Sequence, residues 1–406
     1  MSNIKYKNEE TQVIHAGWRA DPSTNSVAVP IHQTTSFQFN NADHAENLFA
    51  LKEFGNIYTR IMNPTCDVLE KRVAAFEGGV AALAVSSGQS ASVLAIQNLA
   101  KNGDNIISST DIYGGTWNLF ANTLKDQGIE VRFVDPKDAN AFESASDNKT
   151  RAYFGETLPN PKLNIFPIQE VADIGKKLGI PLIIDNTAAP YICKPFKHGA
   201  SIIIHSATKY IGGQGNSIGG IIVDGGNFNW NVFKDQQPAL NSPDPSYHGV
   251  IWTEACKPLG PIAFILKART TLLRDLGSAM SPFNAFQFIQ GIETLPLRIE
   301  RQSNNASKVV DYLKKNKSVS KVIYPSLSEQ NTKYFSKNLY GNLIGFHINK
   351  GYQACKVFID NLKLFYHVAN IGDVRSLAIH PSSTTHSQLT KIDQKRAGVY
   401  ENYIRL

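Results

Sequence analysis

Seven short apolar runs, spaced over residues 81–223 and separated by helical patterns, restrict the folds open to this chain more than any other feature. They are Ala81–Val85, Asn105–Ser108, Val131–Val134, Ala152–Phe154, Pro181–Ile184, Ser201–His205 and Gly220–Val223. Most are rich in Ile and Val and lack a polar alternation, as strands covered on both faces do. Between them, Ser90–Ala100 and Ile168–Leu178 repeat apolar residues at helical spacing. Strand and helix in alternation predict an α/β fold: a mainly parallel central sheet with helices on both faces. Sheets of this kind collect ligands beyond the carboxyl ends of their strands, so polar residues there carry the functional information.

The flanks read differently. Residues 1–57 hold loop signals such as Asp21-Pro22-Ser23-Thr24-Asn25 and no sustained period. So long an irregular stretch is expected to be an arm that packs on another domain or subunit. Thr65–Phe76 has helical spacing and stops at Gly78-Gly79. After Asp224 a loop rich in Pro, Asn, Asp and Ser leads to helical patterns at Pro261–Leu276 and Leu295–Leu313, with strands expected at Lys321–Tyr324, Ile344–Ile348 and His367–Ala369. The expected division is an arm over 1–57, a ligand-binding domain over 58–255 and a smaller α+β domain over 256–406.

Composition narrows the partners. The chain has 406 residues, 42% hydrophobic and 18% charged, which suits a large buried core. Its net charge of +7 is small for this length. The densest basic run, Lys314-Lys315-Asn316-Lys317, has no interleaved aromatics and reads as a solvated helix end, so nucleic acid is not expected. The four cysteines, Cys66, Cys193, Cys256 and Cys355, show neither paired metal spacing nor a disulfide framework, and no metal site is expected. No secretory pattern opens the chain and no run of about 18 apolar residues exists, which leaves a cytoplasmic protein with no membrane partner as the expectation.

The chemistry concentrates at strand ends. Ser201–His205 is followed by Ser206-Ala207-Thr208-Lys209-Tyr210 and then by Gly212, Gly213 and Gly215. Hydroxyls flanking a lysine suit a ligand that bears a phosphate, and a desolvated lysine can act as an amine nucleophile. Alone, the segment could equally be a surface lysine beside a glycine turn. Asp185 ends another buried strand 24 residues upstream, where a helix cap would be the plain reading. An amine for an aldehyde and a carboxylate for a pyridine nitrogen are what pyridoxal phosphate requires of a protein. The turn Ser86-Ser87-Gly88-Gln89-Ser90 offers a helix N-terminus to an anion, and Tyr113 offers a ring to stack on a planar ligand.

With these residues the sequence resembles the Cys/Met-metabolism enzymes of transsulfuration, over nearly its whole length. The motifs are Tyr58-Thr59-Arg60-Ile61-Met62-Asn63-Pro64-Thr65, the Ser-Ser-Gly-Gln turn, Asp185-Asn186-Thr187 and His205-Ser206-Ala207-Thr208-Lys209-Tyr210. The resemblance implies a pyridoxal 5′-phosphate-dependent transferase of fold type I. In it, Lys209 anchors the cofactor, Asp185 pairs with the ring nitrogen, and Tyr113 stacks on the ring. Gly88, Gln89, Ser206 and Thr208 hold the phosphate, and Asn160 contacts the ring hydroxyl. Tyr58 and Arg60 reach the phosphate of a neighbouring subunit, which implies a homo-oligomer, a tetramer built as a dimer of dimers.

Within the family the O-acetylhomoserine sulfhydrylase branch is the most similar. The insertion Asp224 to Trp252, Gly291 to Arg301, Val368 to Asp373, and His380-Pro381-Ser382-Ser383-Thr384-Thr385-His386 carry that similarity. It implies replacement at Cγ of O-acetyl-L-homoserine by a sulfur nucleophile, with homocysteine and acetate as products. Lys209 then moves the protons and Tyr113 assists the leaving group. Cystathionine γ-synthase and methionine γ-lyase chemistry are the alternatives, and a cofactor-binding scaffold without catalysis is a third. Methionine γ-lyases usually carry a cysteine after Tyr-Gly, where this chain has Gly115. The sulfur source is either free sulfide or a carrier protein. Ile404-Arg405-Leu406 matches the motif of the substrate-carboxylate arginine, with Asn370 as a second substrate contact, and the sequence then stops where a last strand and helix are expected.

Overall fold

The computed structural model describes residues 6–328, 332–387 and 390–406. Among them, seven strands form the central sheet: β1 (Ala81–Val85), β2 (Asn105–Ser109), β3 (Glu130–Val134), β4 (Thr150–Glu156), β5 (Leu182–Asp185), β6 (Ile202–Ser206) and β7 (Gly220–Asp224). Their order is β1-β7-β6-β5-β4-β2-β3. The five strands from β6 to β3 pair in parallel, while β7 runs antiparallel to both neighbours. All seven predicted runs are therefore strands, displaced by two residues at most.

Alternation along these strands feeds two cores. Ile184 and Ile203 face a cluster with Tyr153 and Phe288, while Ile183 and Ile204 face one with Leu94 and Phe154. A strand buried on both sides has no polar face to show, which is why its sequence reads as a continuous apolar run. The antiparallel insertion of β7 leaves the carboxyl ends of β1, β4, β5 and β6 on one edge, together with the first residue of β7.

Helices cover both faces. Helix α1 spans Glu9–His15, α2 Ala42–Phe49, α3 Pro64–Glu77 and α4 Gly88–Gln97. Asn63 caps α3 by accepting the Thr65 amide, and Gly78 ends it in the left-handed region at φ 82°. The irregular stretch expected over 1–57 thus contains two helices. In α1, Val13 is fully buried, and Glu10 receives the Tyr191 hydroxyl at 2.6 Å and Lys337 at 2.8 Å, all within one chain. The pattern over Pro261–Leu276 resolves into Ala263–Lys267, a π-helical Ala268–Leu273 and Arg274–Leu276. No described helix is long and apolar enough to cross a membrane.

The second half carries a three-stranded antiparallel sheet in the order Tyr403–Arg405, Gly345–Ile348, Val319–Ile323. Its apolar side packs with Ala306, Val310 and Leu313 of the long helix Leu295–Lys315. The strand expected at His367–Ala369 is confined to Tyr366–His367, paired with Leu377–Ala378.

Candidate active site

A cavity of about 310 Å³ opens beyond the shared edge of carboxyl ends, between the large sheet and the segments around Asn370, His386 and Arg405. Its floor is made of turns that only small residues permit. A Cβ on Gly88 would stand 2.6 Å from Cβ of Ser206, and one on Gly220 would stand 2.0 Å from the Ser87 carbonyl oxygen. Ser87 caps α4 by accepting the Ser90 amide at 3.1 Å, and Ser87, Gly88 and Gln89 at the start of that helix line the cavity. Ser206, in contact with Gly88, and Thr208 line the cavity beside this turn. Thr208 is fixed by the Gly219 amide at 3.1 Å, and the Ser206 amide is bound to the Thr187 hydroxyl at 2.7 Å. Amides at a helix start and clustered hydroxyls form an anion cradle.

Lys209 follows β6 directly. Its Nζ donates to Oδ1 of Asn370 at 2.7 Å. Burial and then the neighbouring Arg405 cation pull its amine below the usual lysine range. Arg405 itself is 5% exposed, at the end of a strand paired with Gly345–Ile348, and not a loose terminal residue. Its guanidinium donates to Oδ1 of Asn160 at 3.2 Å and to the Asn370 carbonyl at 2.7 Å. Among the described residues no carboxylate pairs with it. Asn370 therefore holds both cations of the site, one through its side chain and one through its backbone.

Two carboxyls sit on the floor. Asp185 ends β5 and accepts the Thr187 amide at 2.9 Å; burial pushes its carboxyl upward and Thr187 pulls it back. Glu156 ends β4 directly opposite it in register. Over them, Tyr113 lies 53% exposed at the cavity rim, with its amide donating to Glu156 Oε1 at 2.6 Å. Next to it, a Cβ at Gly115 would stand 2.5 Å from the Tyr113 ring and 3.1 Å from Nε2 of Gln89. The tyrosine ring fills the space a side chain would need there.

Of the residues singled out in the sequence, Gly88, Gln89, Tyr113, Asn160, Asp185, Ser206, Thr208, Lys209, Asn370 and Arg405 all line this one cavity. Tyr58 and Arg60 do not. They lie on the surface, the Arg60 guanidinium 5.4 Å from the Tyr58 ring centre. Glu156, Thr187, Thr385 and His386 also line the cavity and were given no role from sequence. Glu156 had a usable signal: like Asp185, it closes a buried strand with a carboxylate.

A doubly covered, mainly parallel sheet with a buried lysine, an anion cradle and a carboxylate at its strand ends defines a pyridoxal phosphate-dependent enzyme of fold type I. The model of the Cys/Met metabolism PLP-dependent enzymes matches residues 10–406, and the chain belongs to that family. It is 53% identical to an O-acetyl-L-homoserine sulfhydrylase of Leptospira meyeri, over 98% of this chain and 92% of that protein. It is 48% identical to O-acetyl-L-homoserine sulfhydrylase 1 of Thermus thermophilus, over 98% and 95%. A crystal structure from Campylobacter jejuni, assigned as an O-acetylhomoserine (thiol)-lyase and carrying a pyridoxyl-lysine monophosphate residue, superimposes with a TM-score of 0.94 at 42% identity, over 98% of this chain and 95% of that one.

The residues present fit the cofactor. The cradle at Gly88 has no room for a Cβ, the lysine is depressed toward its free-amine form, and Asp185 is a buried carboxyl that forms no ion pair among the described residues.

Proposed function

We propose that this enzyme replaces the acetoxy group of O-acetyl-L-homoserine with a sulfur nucleophile, giving L-homocysteine and acetate. The observation that carries the reading is the pair of cations held on Asn370. A buried guanidinium without a carboxylate stands beside an amine depressed toward its free form, an arrangement suited to an α-amino acid, carboxylate to Arg405 and Cα to Lys209. The names of the Leptospira and Thermus relatives support the substrate.

Pyridoxal phosphate, when bound, supplies an electron sink that makes protons at Cα and Cβ of an amino acid labile. The chain's own groups do the rest. Gly88, Gln89, Ser206 and Thr208 hold the phosphate, Asp185 keeps the ring nitrogen protonated, and Asn160 contacts the ring hydroxyl. Lys209 takes the Cα proton as a free amine. Tyr113, on the open side, hands a proton toward the departing acetate. Arg405 and Asn370 fix the substrate carboxylate, so that only Cγ is presented to sulfur. Tyr58 and Arg60 of a neighbouring copy complete the phosphate site, with residues 1–57 as an arm between subunits, 58–255 as the cofactor domain and 256–406 as the substrate domain. The assembly is a homotetramer working in the cytoplasm, on sulfide or sulfur from a carrier protein.

Feeding O-acetylhomoserine with sulfide, with cysteine or with no thiol tests this. Homocysteine from sulfide is the expected product; cystathionine from cysteine, or a keto acid with no thiol, would replace the reading by a synthase or a lyase. Lys209→Ala is expected to lower turnover by about 10²–10⁴-fold, the usual worth of a positioned base.

A further inference from the structure

The carboxyl pair on the cavity floor has a second member without a role. Glu156 and Asp185 end adjacent strands in direct register, both line the cavity, and Glu156 is 7% exposed. Among the described residues neither carboxyl is in an ion pair. The other charged groups nearby are committed elsewhere or belong to the substrate site. Asp111 is bonded to Lys162 and Asn164, His205 pairs with Glu77 on the opposite face of the sheet at 2.8 Å, and Lys209 and Arg405 are held by Asn370. Two buried carboxylates side by side with no cation between them cannot both ionise. Their hydrogen bonds decide which one keeps the charge. Asp185 receives the Thr187 amide at 2.9 Å, and the Thr187 side chain and the His205 ring beyond the sheet also favour its charged form. Glu156 receives the Tyr113 amide at 2.6 Å and has the charges of Asp185 and Asp111 against it.

We propose that Glu156 is a positioning residue held in its neutral, protonated form, seating the Tyr113 backbone over the cavity while leaving Asp185 as the one ionised carboxyl of the floor. Burial and the neighbouring Asp185 charge both push the Glu156 carboxyl well above the ordinary range, in the same direction. A neutral acid here lets the ring-stacking tyrosine be tied down by a side chain that adds no second negative charge beside the cofactor. The inference rests on the roles given to Tyr113 and Asp185 in the proposed function.

Infrared difference spectra of the holoenzyme against E156Q and D185N test it without turnover. The expected result is a protonated carboxylic-acid carbonyl band at neutral pH that is lost in E156Q and kept in D185N. Absence of the band in the wild type, or its loss in D185N alone, would overturn the proposal. Kinetics provide a second arm. E156A leaves the Tyr113 amide without its side-chain acceptor, and kcat/KM should fall about tenfold, the worth of one lost positioning hydrogen bond. E156Q, neutral and still an acceptor, should recover most of that loss, with the acid limb of the pH profile unmoved; E156Q as impaired as E156A would overturn the neutral form. Failure of the reaction assignment would show in the products and leave the infrared result standing.

Discussion

Arg405 brings a positive charge into the protein and, among the described residues, bonds to neutral oxygens alone, from Asn160 and Asn370. Burial depresses it, yet a guanidinium stays charged, so its dehydration is already complete before any substrate arrives. A substrate carboxylate then gains a charge-assisted bond at little further cost. Arg405→Ala should raise KM for O-acetylhomoserine by about 10- to 100-fold with a smaller change in kcat, in line with a lost charged hydrogen bond. A second effect follows through Lys209. The Arg405 cation helps depress that amine, so its removal lets the amine rise toward its ordinary value. The rate at which stripped enzyme takes up cofactor, which needs the free amine, should then shift to higher pH in the variant. An unchanged profile would separate the two cations. The sequence pointed to Arg405 through a motif alone. What it could not convey is that residues 403–405 pair with a strand nearly 60 positions earlier, because a three-residue strand carries no period.

Strand β7 shows how an element can be legible in place and hidden in environment. Its apolar run identifies it, but its antiparallel direction between β1 and β6 does not follow from that run. The direction puts Asp224 at the far end of the sheet, 1% exposed, with one oxygen on the Gly226 amide and the other without a partner among the described residues. Burial pushes its carboxyl to about 7. An unfolded aspartate ionises near 3.9. Between those values the folded chain holds a proton that the unfolded chain has lost, so stability falls as pH rises through this window and stays reduced above it. Asp224→Asn should therefore melt higher than wild type at pH 8 and close to it near pH 4, by thermal unfolding followed across pH. Helical elements were legible where their apolar stripe faced the core, as at Ile168–Leu178, which matches to the residue. The π-helical turns at Leu119–Thr123 and Ala268–Leu273 were not, because one extra residue in a turn barely disturbs an apolar stripe.

At the scale of the whole molecule Tyr58 and Arg60 lie on the surface outside the cavity lining, while Val27, Phe49 and Phe54 of the same N-terminal region are also exposed. If a neighbouring copy supplies the missing pair, two inactive variants should complement each other. Mixed dimers of Lys209→Ala with Arg60→Ala carry one doubly altered site and one intact site, so mixing after dissociation should restore about a quarter of wild-type activity. No recovery would place Tyr58 and Arg60 outside the shared site. Ten of the twelve residues chosen from the sequence meet in one cavity because strand ends on one edge are a property of the α/β layout itself. Glu156 went unassigned because its meaning lies in a cross-strand neighbour, and the pairing of β4 with β5 is not written in either strand. The joining of Lys209 to Arg405 through Asn370 also imposes an order in time. As the chain leaves the ribosome, the lysine, the cradle and the sheet edge can assemble once the chain has emerged through Arg298, since Phe288 and Ile292 close the core of the sheet and Arg298 bonds the Tyr210 carbonyl beside the lysine. Recognition of an amino acid cannot, since it waits on residues 403–405. A nascent chain can thus acquire the chemistry before it acquires the means to select what the chemistry acts upon.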